Sequence, residues 1–111
     1  MPSEILYLAG QVAAGGDGSV VGIGDFVAQA RKVFENIGAV LAEATMDFSN
    51  IVKFTNYLVN PEDLVAFRAV RSELYENLFP DGKFPADSLL VISRLARPEY
   101  LLEIEAVAVR C

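Results

Sequence analysis

A stripe of apolar residues at helical spacing, Ala30, Val33, Phe34, Ile37, Val40, Leu41 and Ala44, is the strongest constraint on what this chain can fold into. A helix with one apolar face must bury that face against another element. Arg31, Lys32, Glu35, Asn36 and Glu43 fall mostly on the opposite side and read as a solvated face. Asp25, after Gly24, is a good N-cap. The run 51–59 is β-branched and aromatic and predicts a strand. Asn60-Pro61 then places a capping side chain and an N1 proline before a second helix. Leu64, Phe67, Val70, Leu74 and Leu78 form that helix's apolar face, and Phe79-Pro80-Asp81-Gly82 ends it.

Strands account for the remainder. Residues 5–9 read as a buried strand, and Gly15-Gly16-Asp17-Gly18 is a hairpin signal that returns the chain over 20–23. Those glycines also suggest a phosphate cradle, but no Gly-Lys-Ser/Thr follows, so the turn reading wins. Residues 88–95 and 101–109 are two further strands, joined by a turn around Arg97-Pro98. The expected order is β-β-α-β-α-β-β over one domain, 1–111. This is an α+β layer, a mixed sheet with two helices packed on one face. The other sheet face is expected to carry Leu89, Val91, Val107 and Val109 alongside Glu103 and Glu105.

Composition says what covers such a face. The hydrophobic fraction is 53%, above the usual share for a soluble domain. No stretch approaches the ~20 consecutive apolar residues of a membrane span. Met1-Pro2-Ser3-Glu4 has neither the basic region nor the apolar core of a secretory signal. Self-association is therefore the expected partner for the apolar excess.

A net charge of -6, from 15 acidic and 9 basic residues, opposes nucleic-acid binding. There is no His, so the commonest general base and the commonest metal ligand are missing. Cys111 is the only cysteine, which excludes an internal disulfide and Cys/His zinc sites, and it reads as a terminal thiol. No metal site is expected, and the cytosol is the natural compartment.

Several segments, in order along almost the whole chain, resemble the Rid (YjgF) family. Leu8-Ala9-Gly10-Gln11-Val12 resembles its "SGQ" segment, and Gln29-Ala30-Arg31 with Asn36 resembles its first-helix pattern. Ile51-Val52-Lys53 is similar to the start of its central strand. Phe84-Pro85-Ala86 with Ser88 resembles its "FPARS" signature. Arg94-Leu95 and Glu103-Ile104-Glu105-Ala106-Val107-Ala108-Val109 resemble its "RL … EIEAIAV" ending.

The resemblance implies a chorismate-mutase-like fold and a homotrimer with a small-molecule cleft between each pair of subunits. Members with the full motif hydrolyse reactive enamines and imines to keto acids and ammonia without a cofactor. It further implies a cleft formed by Ala9, Gly10, Gln11, Phe84, Asp87, Ser88 and Leu89, with Glu103 positioning the water. The departures are as informative. Asp87 stands where the family has the Arg that clamps the substrate carboxylate, Ala9 where it has Ser, and Leu89 where Cys is common. The family's strand before "SGQ", with its Tyr, has no counterpart.

An Asp repels a carboxylate by about 4 kcal/mol at 4 Å and a near-surface dielectric. The usual keto-acid imines are therefore expected to be poor ligands. Asp87 reads either as selecting a cationic or amine-bearing ligand or as a loop cap in a vestigial site. With Glu103 it is expected to make one acidic cleft with no cation between the two. Glu105 is assigned to structure, Tyr7, Tyr57, Tyr75 and Tyr100 to packing, and Arg94 to the strand face opposite Asp87. Two functions stay open, a hydrolytic deaminase of a small amine-bearing compound and a non-catalytic trimeric binding module. The ribonuclease role also attached to the family is opposed by the charge and the absence of His.

Overall fold

The computed structural model describes residues 3–111. Its elements are β1 (Glu4–Gln11), α1 (Phe26–Glu43), β2 (Ile51–Leu58), α2 (Leu64–Leu78), β3 (Ala86–Val91) and β4 (Leu102–Arg110). Short 3-10 turns at Phe48–Asn50 and Pro61–Asp63 precede β2 and α2. The four strands form one sheet in the order β1-β4-β2-β3. β4 pairs antiparallel with both β1 and β2, and β3 runs parallel to β2. A parallel pair needs a crossover connection, and α2 supplies it.

Alternation sets the two faces. Leu102, Ile104, Ala106 and Ala108 of β4 and Phe54 and Leu58 of β2 are buried, as is Leu8 of β1. Ala30, Val33, Phe34, Ile37 and Leu41 of α1 and Phe67 and Val70 of α2 pack against them. Edge-to-face aromatic pairs join the layers: Phe34 to Phe54 at 6.0 Å and Phe26 to Phe67 at 6.2 Å between centroids. The architecture is α+β, with both helices on one sheet face. No helix of the described residues is long and apolar enough to cross a membrane.

Asp25 caps α1 as expected, accepting the Ala28 N–H at 3.1 Å. Asn60 makes no such bond, and Pro61 opens a 3-10 turn ahead of α2. The glycine hairpin forms, with Gly15 and Ser19 joined through a 2.9 Å backbone bond. Its return strand over 20–23 does not. Only one bridge, Ala14 to Val20, survives. Gly22 at φ +72 then swings the chain into α1, and a Cβ there would strike that of Ala28. The sheet accordingly has four strands, in the order β-α-β-α-β-β.

The run expected over 88–95 is strand only to Val91. β2 ends at Leu58, whose carbonyl takes a last bond from the Ile92 N–H, and no partner lies beyond. Arg94 is therefore in a loop, with its guanidinium on the carbonyls of Leu95 and Ala96.

The composition of the open face also differs from expectation. Val107, Val109, Glu103 and Glu105 lie there, but Leu89 and Val91 do not. Parallel pairing sets Leu89 beside Asn56 and Val91 beside Leu58, so both take the helix side. Ser88 and Leu90 take their place on the open face, which β1 extends with the exposed Ile5 and Tyr7.

Two polar side chains of α1 hold the connections. Gln29, fully buried, donates to the carbonyls of Gly22 and Glu99 and accepts the Leu101 N–H at 2.9 Å. Asn36 donates to the carbonyls of Val12 and Ala14. Gln29→Ala strands three backbone groups, and should cost about 2–4 kcal/mol. A lower urea midpoint with an unchanged slope is the expected result.

Candidate functional site

The residues singled out in the sequence fall into two groups at opposite edges of the sheet. The first lies on β1 and β4. Leu8 pairs with Ala106 and Gln11 with Ile104, so Ala9 and Gly10 together span the place of Glu105. This bulge bends the edge strand. Any side chain at Gly10 would occupy the space of the Glu103 carboxylate. Gly10 is thus what lets Glu103 fold down against β1. Gln11 donates to the Ala9 carbonyl at 3.0 Å and steadies the bulge.

Glu103 sits on the open face. Burial, followed by the negative charge of Glu105, pushes its carboxyl above the ordinary range. Glu105 accepts the Tyr57 hydroxyl at 2.8 Å. That bond is the main reason the Tyr57 hydroxyl holds its proton more tightly than usual. Ser88 shares this face and accepts from Lys53 Nζ at 2.6 Å.

The second group lies on the helix side at the β3 edge. Asp87 pairs with Phe54 in register and therefore points under α2. Its Oδ1 accepts from Asn56 Nδ2 at 2.6 Å and its Oδ2 from Arg71 Nη1 at 2.9 Å. The Arg71 guanidinium in turn lies 4.9 Å over the Phe67 ring. Beside this pair a cleft of about 620 Å³ opens between α2 and the segment that leads into β3. Tyr75, Phe79, Phe84 and Pro85 form much of its wall, and Tyr75 and Phe84 lie 5.3 Å apart. Burial, together with the Asp87 charge, pushes the Tyr75 hydroxyl up to about 12, so it remains a neutral donor. Leu89 packs against the core, and Phe84 is 61% exposed.

One chain does not bring Asp87 and Glu103 together. They lie on opposite faces of strands separated by β2, roughly 10 Å apart by interstrand spacing alone. Within one chain, then, the two acids do not share a cleft. Asp87 is not an unpaired acid either, since Arg71 neutralises it. Arg71 and Asn56 are the residues that the sequence reading missed. Asn56 did carry a signal, because alternation with Phe54 and Leu58 puts an amide on the buried face. Arg71 sits one helical turn from both Phe67 and Tyr75, beside the apolar stripe. Among the described residues, no three metal-ligating side chains cluster.

The profile of the endoribonuclease L-PSP family matches residues 2–110. A RutC family protein of Synechocystis is 36% identical over 94% of this chain and 77% of its own length. The mouse 2-iminobutanoate/2-iminopropanoate deaminase is 33% identical over 95% of this chain and 73% of its own. Among solved structures, a Rid-family protein of unknown function from Yersinia pestis superimposes with a TM-score of 0.86 at 35% identity, covering 98% of this chain and 80% of that one. Escherichia coli TdcF with bound serine gives 0.86 at 25% identity over 98% and 83%.

The raised Glu103 carboxyl has a sign that can be tested. In the unfolded chain it ionises in the ordinary carboxylate range, and in the folded chain it holds its proton to higher pH. Its contribution to stability is complete below the ordinary value and is lost as pH rises through the folded one. Glu103→Gln should thus melt higher than the parent at about pH 8, with the difference vanishing toward about pH 4. Paired melting curves across that range check it; a constant difference would mean that Glu103 is not perturbed.

Proposed function

Because this chain belongs to the endoribonuclease L-PSP family, the family also called Rid or YjgF, we propose that it is a cofactor-independent hydrolytic deaminase of small imines and enamines. The observation that carries this reading is Glu103, a carboxylate held in the space left by Gly10, with its proton affinity raised by burial and by Glu105. A carboxyl whose proton affinity is raised is a stronger base than an ordinary carboxylate and can pass a proton to and from a reacting group.

In the reaction, Glu103 takes a proton from water as the oxygen attacks the imine carbon. Glu103 returns that proton to the nitrogen to give the carbinolamine; a second proton then passes from the carbinolamine hydroxyl to the nitrogen, the C–N bond breaks, and ammonia leaves as the carbonyl forms. Water and imine go in, and keto compound and ammonia come out. No redox partner is required. The relative named for an imine deaminase supports the assignment of class.

The separation of the two groups supports an assembled site. Gly10, Gln11 and Glu103 lie toward the β1 edge and Arg71 and Asp87 at the β3 edge. A ring in which the β1 side of one copy meets the β3 edge of the next would join them, and a closed homotrimer makes three such clefts. It would also cover Ile5, Tyr7, Leu90 and Val107 on the open face. A net charge of -6 opposes RNA as the substrate, whatever the family's name suggests.

Light scattering should give about three times the 12.1 kDa of one chain; a monomer would sink the assembled cleft. Because Arg71 neutralises Asp87, the repulsion expected to exclude keto-acid imines is lifted, and with imines generated in situ by an amino-acid oxidase the protein should accelerate ammonia release. Glu103→Gln should lower kcat by about 10²–10⁴-fold with little change in KM. Equal turnover by this variant would remove Glu103 from the chemistry.

A further inference from the structure

The Arg71–Asp87 pair and the cleft beside it point to a more definite ligand. We propose that this ion pair reads a zwitterion, an α-amino or α-imino carboxylate whose side chain is aromatic or comparably bulky and apolar. The carboxylate would take the unused N–H donors of Arg71 and the nitrogen would approach Asp87. The side chain would enter the cleft walled by Tyr75, Phe79, Phe84 and Pro85. This rests on the deaminase reading for its chemistry, and it names the substrate of that same site.

The pair is built for presentation. Its side chains keep 21% and 29% of their exposure, so it is neither sealed in the core nor loose on the surface. A pair this exposed adds little to stability, which is little reason by itself to hold it so firmly. Each partner is nevertheless fixed from beneath. Asn56, 1% exposed, holds Asp87 Oδ1 at 2.6 Å, and the Phe67 ring lies under the guanidinium. Among the described residues, Arg71 donates a hydrogen bond only to Asp87, through one of its five N–H groups. Asp87 uses one acceptor site on each oxygen and keeps the remainder.

Charge excludes the simpler ligands. Glu76 also lines the cleft, so the wall holds two carboxylates and one guanidinium. A plain anion would meet net negative charge. A plain cation would leave the free guanidinium donors unpaired once water is displaced. A neutral pair of opposite charges satisfies both. The size of the cleft, about 620 Å³, and its aromatic wall leave a two- or three-carbon side chain with little to touch.

Calorimetry on the 111-residue chain tests this with four stable probes: L-phenylalanine, 2-phenylethylamine, 3-phenylpropanoate and L-alanine. Phenylalanine should bind at least about tenfold more tightly than each of the others, which lack the carboxylate, the ammonium or the ring. Either single-charge probe matching it would overturn the zwitterion. Alanine matching it would overturn the aromatic preference, and absence of phenylalanine binding at millimolar concentration would overturn both. Arg71→Gln should weaken phenylalanine by at least about tenfold and leave phenylethylamine unchanged. The exchanged variant Arg71→Asp with Asp87→Arg should recover part of the loss. If these variants unfold, the four-probe series on the unaltered protein still decides. Binding without imine hydrolysis would sink the deaminase reading alone. Hydrolysis of small imines without phenylalanine binding would sink this proposal alone.

Discussion

The alternation of β4 is the constraint on which the structure depends. Leu102, Ile104, Ala106 and Ala108 face the helices, and Glu103, Glu105, Val107 and Val109 face away. β4 is hydrogen-bonded along both edges, so this one strand aligns β1 and β2 at once. A slip of one residue would put both glutamates into the core and expose Leu102 and Ile104. Each large apolar side chain so exposed would lose about 1.5–3 kcal/mol of burial, and each buried carboxylate would cost more. Register is therefore not negotiable, and the position of Glu103 follows from it. So does the need for Gly10, since the folded glutamate occupies the volume that any other residue would fill.

The β3 edge obeys a different rule. Its register is set by parallel pairing to β2, which sends Asp87 to the helix side while Ser88 faces the open side with Lys53. A carboxylate under a helix requires a partner, and α2 provides Arg71 one turn after Phe67. The central polar residue of β2, Asn56, completes the arrangement. Asp87, read from the sequence as an acid with no cation beside it, is thus paired with a cation from another element. The pair sets both signs of charge close together beside an aromatic-walled cleft.

The helices and three of the four strands were legible because their periodicities are long and unbroken. Asp25 as N-cap and the stripe from Ala30 to Leu41 show this plainly. The failures are local and share a cause. Residues 20–23 are β-branched enough to suggest a strand, but Gly22 and Gly24 take positive φ and the chain turns away. The run past Val91 still carries Ile92 and Leu95, but β2 has already ended and offers no further ladder. Strand propensity becomes strand only where a neighbour exists, and the neighbour is a tertiary fact.

By itself the sequence determined the α+β class and most of the core, the helix stripes and the alternation of β4 above all. A periodic apolar pattern has one economical burial, so these are consequences of local order. Only the tertiary structure decided which charged groups meet. Asp87 and Glu103 lie 16 positions apart in the sequence and look like companions there, but sheet order and face parity separate them. Arg71 and Asp87 belong to different elements with no pattern in common, yet they touch. Side-chain proximity across a sheet depends on register and strand order, and both are products of the global packing of the chain rather than of any stretch of it.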